Sequence, residues 1–133
     1  MKRITLLVFA MLIGLVSFAQ NEKKDLLEIY YFHRTERCLT CNAIEDGVRS
    51  ALNSYKKEIS KGELIFKSIN IEEDVDNQIV KDYEIESPTL LFIYNKKGER
   101  KFIDLTDDAF SYARPNPSKF KKVLKGKIND FFR

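Results

Sequence analysis

Apolar and polar positions alternate along this chain in blocks whose period switches between strand and helix. Residues 26–32, LLEIYYF, are a short apolar and aromatic run, which predicts a buried strand. After the polar stretch HRTER, the period becomes helical. Cys41, Ile44, Val48, Ala51, Leu52, Tyr55 and Ile59 recur at spacings of three and four, so they share one helix face, and Gly62 ends the segment. ELIFKSINI (63–71) predicts a second strand. EEDVDNQIVKDY (72–83) predicts a short helix with Val75, Ile79 and Val80 turned inward. PTLLFIY (88–94) is nearly all apolar and predicts a central strand. NKKG (95–98) predicts a turn with glycine at positive φ, and ERKFIDL (99–105) an edge strand carrying Lys101 and Asp104. TDDAFSYARPNP reads as an irregular connection. Ser118 would cap a last helix whose apolar residues are Phe120, Val123, Leu124, Ile128 and Phe131. The predicted order is β-α-β-α-β-β-α: an α/β fold with a mixed central sheet and helices on both faces.

The first residues follow a different rule. Lys2 and Arg3 precede an almost unbroken apolar run from Ile4 to Phe18, with small Ser17 and Ala19 at its end. This is the pattern of a secretory signal peptide over residues 1–19, cleaved after Ala19. The run is shorter than the roughly 20 apolar residues of a spanning helix. Residues 20–25 read as a polar leader, expected to be mobile, and 26–133 as one domain. The expected location is the periplasm or the extracellular space, where disulfides persist.

Charge and composition narrow the function by exclusion. The chain has 133 residues, 32% of them charged, and a formal net charge of +3, which falls to +1 once Lys2 and Arg3 are removed. Such a balance argues against a nucleic-acid partner. It fits a soluble mature protein, expected to be a monomer.

Both cysteines lie in ERCLTC, residues 36–41. The pair could be an inert staple, part of a metal site or a carrier of electron pairs. A staple closing about four residues gains roughly 2 kcal/mol, against about 3 for fifteen residues, so it would be poorly placed for stability. A metal site would have Cys38, Cys41 and His33, three ligands where closed zinc wants four; copper(I) tolerates fewer. For electron exchange the spacing is well suited. Cys38 falls at the expected helix N-terminus, where free N–H groups and the dipole favour a thiolate, and Arg34 and Arg37 add positive charge. Cys41, one turn inward, would be buried and would resolve a mixed disulfide.

Taken in order, these features resemble the thioredoxin-like superfamily over residues 26–131. A strand, EIYYF, runs into C-x-x-C at a helix start. A second strand carries INIEED, and YEIESPTLLFIYNKKGER resembles the family's Pro-Thr strand followed by a glycine-containing hairpin turn. The resemblance implies a thioredoxin-like β-α-β-α-β-β-α fold and thiol–disulfide exchange by Cys38 and Cys41, which form the disulfide. It implies a cis Pro88, and a Ser87 backbone that pairs with an extended substrate segment. Protein thiols and disulfides would be the substrates, with no bound cofactor and no metal. This sequence departs from thioredoxin itself, having Arg37 for the tryptophan before the first cysteine and Leu39-Thr40 for Gly-Pro. Phe32 and Ser68 stand where a buried aspartate and a lysine assist proton transfer, and His33 lies beside the first of these places. Leu39-Thr40 adds no positive group to favour the reduced state, so a reductant is expected over a strong oxidant, resupplied by a membrane-bound electron donor. The alternative is a binding module on the same scaffold, or a Cys/His carrier of copper or zinc, without turnover.

Overall fold

A computed structural model describes residues 23–133. The expected signal peptide, 1–19, and the first leader residues lie outside the described residues. The strands are β1 (Leu26–His33), β2 (Leu64–Asn70), β3 (Thr89–Lys96) and β4 (Glu99–Asp104). The helices are α1 (Leu39–Leu52), α2 (Lys56–Ser60), α3 (Gln78–Asp82), α4 (Thr106–Tyr112) and α5 (Pro117–Phe132), with a 3-10 turn at Asn53–Tyr55 between α1 and α2.

The sheet runs in the order β2-β1-β3-β4. β1 is parallel to β2, antiparallel to β3, and β3 is antiparallel to β4. This is an α/β arrangement with the expected β-α-β-α-β-β-α order and mixed sheet, in which α2 follows α1 and α4 is added before the last helix. The two inner strands are apolar on both sides, as strands covered on both faces must be. Leu27, Ile29, Tyr31, Leu90 and Phe92 point into a core shared with α1, α4 and α5. Tyr30, Phe32, Leu91 and Ile93 point to the other side, where Val80 of α3 covers them. The β3–β4 turn carries positive φ at Lys97 (52°) and Gly98 (78°), the primed geometry that matches strand twist.

α5 docks on α1 at Gly47. A Cβ there would lie 2.7 Å from two ring carbons of Phe120, so only glycine admits this approach.

Four expectations are corrected. The 72–83 segment is helical only over Gln78–Asp82, and Val75 is 60% exposed. Asn77 stops the helix from starting earlier: its side chain caps Ile79 N–H and binds Asp74, local bonds that compete with helix. The segment after β4 is not irregular but contains α4. Asp104 accepts from Thr106 N–H, and Ala109 is buried in the main core. The last helix is capped by Asn116, with Pro117 in its first turn, rather than by Ser118. The end of the leader is held rather than loose, because Asp25 accepts from Lys97 N–H at 2.9 Å.

Candidate functional site

The loop between β1 and α1 presents the cysteine pair, and it is anchored on both sides. Thr35 N–H donates to Glu72 at 2.9 Å, and Asn70 donates to the Thr35 hydroxyl at 3.0 Å, tying the loop to the end of β2. Hydrogen bonding from Thr35 holds the Glu72 carboxyl below its ordinary pKa. On the other side Arg34 donates to the Glu86 carbonyl at 3.3 Å, reaching the segment that carries Ser87 and Pro88.

Cys38 is the N-cap of α1. Its backbone is extended and its sulfur accepts the Cys41 N–H at 3.1 Å. One of the orphan donors of the helix start thus points at the sulfur, the environment in which negative charge is favoured. Cys38 is exposed, and so is its neighbour Leu39 at 67%, whereas Cys41 is 7% exposed among the apolar residues of α1. The two are joined as a disulfide with Cα atoms 5.0 Å apart. One sulfur is therefore reachable and the other lies behind it, a geometry that can take up and release an electron pair.

The charged residues near the pair do not act together. Arg34 is spent on the Glu86 carbonyl. His33 Nδ1 lies 3.0 Å from the Arg34 carbonyl oxygen, and its ring is tilted against Tyr31 at 5.9 Å. Arg37 turns inward to an ion pair with Glu45 of α1, and also donates to Ser68 at 3.3 Å. Among the described residues no group of three His, Cys, Asp or Glu side chains is placed to hold a metal ion, so His33 does not join Cys38 and Cys41 in such a site.

The Ser87–Pro88 bond is trans, since no cis peptide bond occurs among the described residues. This corrects the expected cis Pro88. β3 begins one residue later, at Thr89, which pairs with Phe32, so the ladder makes no demand on Pro88. The intrinsic trans preference then prevails, with Thr89 Oγ1 donating to the Ser87 carbonyl at 2.9 Å. Ser87 is exposed and, with Tyr83, Glu86, Phe102 and Asp104, borders a groove of about 510 Å³ on the thinly covered face of the sheet.

Sequence reasoning missed the buried cluster beneath the loop. Glu45 lies four residues after Cys41 on α1, and its side chain is only 12% exposed. It accepts from Arg37, from Arg49 at 2.7 and 3.1 Å, and from Ser68 at 3.2 Å. Burial pushes the Glu45 carboxyl up, but the hydrogen bonds and charges of Arg49 and Arg37 outweigh it and hold the carboxyl below its ordinary pKa. Arg37 also stacks over Tyr31, 5.8 Å from the ring centroid. The Tyr31 hydroxyl and Arg37 Nε are both buried without a hydrogen-bond partner. Burial pushes the Tyr31 phenol up to about 12. The i,i+4 spacing of Glu45 and Arg49 was a visible signal; the reach of Arg37 to Glu45 was not.

No protein-family model and no curated protein matches this chain. Solved structures that it resembles include the germline-specific thioredoxin Deadhead of Drosophila melanogaster, 16% identical, with 79% of this chain and 80% of that one covered at a TM-score of 0.48. Mitochondrial thioredoxin 3 of Saccharomyces cerevisiae in its oxidized form is 22% identical, with 91% and 89% covered and a TM-score of 0.44. A malarial protein is 13% identical over 66% of this chain and 92% of its own, with a TM-score of 0.42.

Proposed function

We propose that this protein is an exported thiol–disulfide oxidoreductase that passes electron pairs from Cys38 and Cys41 to disulfides of partner proteins. The observation that carries the reading is the placement of the two sulfurs: Cys38 exposed as the N-cap, receiving the Cys41 N–H, and Cys41 buried behind it. In the reduced protein the Cys38 thiolate attacks one sulfur of the partner's disulfide. That bond breaks, a partner thiolate leaves, and a mixed disulfide forms. Cys41 gives up its proton and attacks Cys38 Sγ, releasing the second partner thiolate and closing the Cys38–Cys41 bond. Two electrons have then moved to the partner.

The substrate segment lies along Ser87, where the groove bordered by Phe102 and Tyr83 receives its side chains. The commitment of Arg37 to Glu45 supports a reductant, because it withholds a cation that would favour the thiolate and so the reduced state. A reductant outside the cytoplasm needs a resupply of electrons, here assigned to a membrane-bound donor. The mature chain, beginning at Gln20, acts as a soluble monomer.

The test is reduction of insulin by the dithiothreitol-reduced protein, followed for wild type, Cys38→Ser and Cys41→Ser. We expect turnover in wild type, none in Cys38→Ser, and a trapped mixed disulfide in Cys41→Ser. Absence of exchange in wild type, in this direction and with oxidised protein and a reduced unfolded substrate, would replace the reading with that of a binding module. The intact mass of the exported protein checks cleavage after Ala19.

A further inference from the structure

The cluster beneath the cysteine loop contains one carboxylate and two guanidinium groups, and its members come from every element packed there. Arg37 belongs to the loop, Glu45 and Arg49 to α1, Ser68 to β2 and Tyr31 to β1. Two sequence relations tie this cluster to the sulfurs. Arg37 immediately precedes Cys38. Glu45 stands four residues after Cys41, hence on the neighbouring position of the same helix face. Glu45 therefore acts on both cysteines in the same sense. Its own negative charge opposes a thiolate at Cys41, and its ion pair cancels the Arg37 charge that would favour a thiolate at Cys38. The carboxylate is only 12% exposed, which limits its screening by water. Arg49, whose side chain is 59% exposed, reaches solvent and contributes less.

We propose that Glu45 is a positioning residue that sets the reduction potential of the Cys38–Cys41 pair, holding it on the reducing side by neutralising Arg37. The inference rests on the redox reading above and adds the group that poises the site. The equilibrium it governs balances as follows. Two glutathione thiols become one glutathione disulfide, and the Cys38–Cys41 bond breaks and takes up their two electrons and two protons. One of those protons is released again to the extent that Cys38 is ionised. Whatever stabilises the Cys38 thiolate therefore stabilises the reduced protein and makes the pair a stronger oxidant.

Replacing the carboxylate by an amide keeps the shape and removes the charge. In Glu45→Gln, Arg37 keeps a hydrogen-bond acceptor but loses its counter-ion. An uncompensated neighbouring charge shifts a thiol by about one pKa unit, the lower end of the usual range. Measured at a pH above the Cys38 pKa, where the thiolate is formed in both proteins, Glu45→Gln should raise the equilibrium constant for reduction by glutathione about tenfold, which is about 30 mV, and it should lower the Cys38 pKa by about one unit. Arg37→Gln should move both quantities the opposite way. The double variant, in which the pair is removed as a unit, should return close to wild type, and Glu45→Asp should stay within about threefold of it. These directions separate tuning from loss of structure, because a destabilised loop would move both single variants alike.

The equilibrium constants are read by quantifying free thiols after incubation across a glutathione series. The Cys38 pKa is read separately, from the pH dependence of iodoacetamide alkylation after chemical reduction, and needs no partner protein. Far-ultraviolet circular dichroism establishes that each variant is folded, and Arg37→Gln alone tests the sign should Glu45→Gln not fold. The proposal is overturned by a Glu45→Gln value within twofold of wild type, by a shift toward the reducing side, or by single variants that move together. Loss of insulin reduction with the predicted shifts intact would refute the activity and leave the tuning standing.

Discussion

The contact between α1 and α5 offers a direct test of the packing that supports the cysteine pair, through Gly47→Ala. On helix propensity alone this change should stabilise, because alanine in a helix interior is favoured over glycine by roughly 0.5–1 kcal/mol. The structure reverses the sign. The new Cβ would meet Phe120 Cδ1 and Cε1 at 2.7 Å, inside any ordinary carbon–carbon contact. Phe120 has no exposed surface, so its ring cannot swing into solvent. Relief must come from separating the helices or forcing the ring off its rotamer, an overpacking cost of about 1–3 kcal/mol. The net expectation is destabilisation by about 0.5–2 kcal/mol. With a urea m-value of about 1–3 kcal/mol/M, a loss near 1 kcal/mol lowers the midpoint by roughly 0.3–1 M, measurable on the oxidised protein. The second arm is Phe120→Leu, which removes the clashing ring atoms. Alone it should cost roughly 1–3 kcal/mol. Combined with Gly47→Ala it should cost less than the sum, with a coupling of about 1 kcal/mol. A Gly47→Ala protein more stable than wild type, or strict additivity in the double variant, would refute the close approach.

Three further outcomes follow from buried polar groups. Tyr31→Phe removes a hydroxyl that is buried without a partner, so it should leave stability unchanged or raise it by about 1 kcal/mol in the same urea assay, where an ordinary buried tyrosine would lose stability. Burial pushes the phenols of Tyr30, Tyr31 and Tyr94 up to about 12, so spectrophotometric titration at pH 11 should show at least these three of six tyrosines still protonated in the folded protein. Because those values are raised above the ordinary 10, the stability they confer is complete below pH 10 and is lost as pH rises toward 12. Glu45 works in the other sense: its lowered pKa adds stability above the ordinary carboxyl value that is lost as pH falls through the depressed one, and Glu45→Gln should flatten that acid limb of the stability profile.

Strands and sheet order were legible because their signals are collective. β1 and β3 are apolar on successive residues, which marks strands covered on both faces, and the interval between β1 and β2 leaves room for a crossover helix. The short helices were less legible for a physical reason. Only Ala109 is fully buried in α4, so seven residues carry almost no periodic signal. In the 72–83 segment the opposite happened: a weak apolar period suggested a longer helix, but the local hydrogen bonds of Asn77 and Asp74 hold its first half as turn.

At the site, legibility divides between what the helix start dictates and what side-chain reach dictates. That Cys38 would stand at the beginning of a helix, with Cys41 on its inner face, follows from spacing alone, since any residue three positions into α1 on that face must turn toward Ile44 and Val48. What surrounds the sulfurs does not follow from spacing. Arg34 and Arg37 are three positions apart in a polar loop, yet one reaches outward to the Glu86 carbonyl and the other inward to Glu45. The difference lies in the partners that tertiary structure brings close: the Glu86 carbonyl, two residues before Pro88, for one, a nearly buried carboxylate for the other. A buried carboxylate without a cation would cost several kcal/mol, so Glu45 must draw in every guanidinium within reach, and Arg37 is captured before it can serve Cys38. The local charge at the cysteine pair thus depends on a residue one turn further along the helix, which the loop sequence alone does not point to.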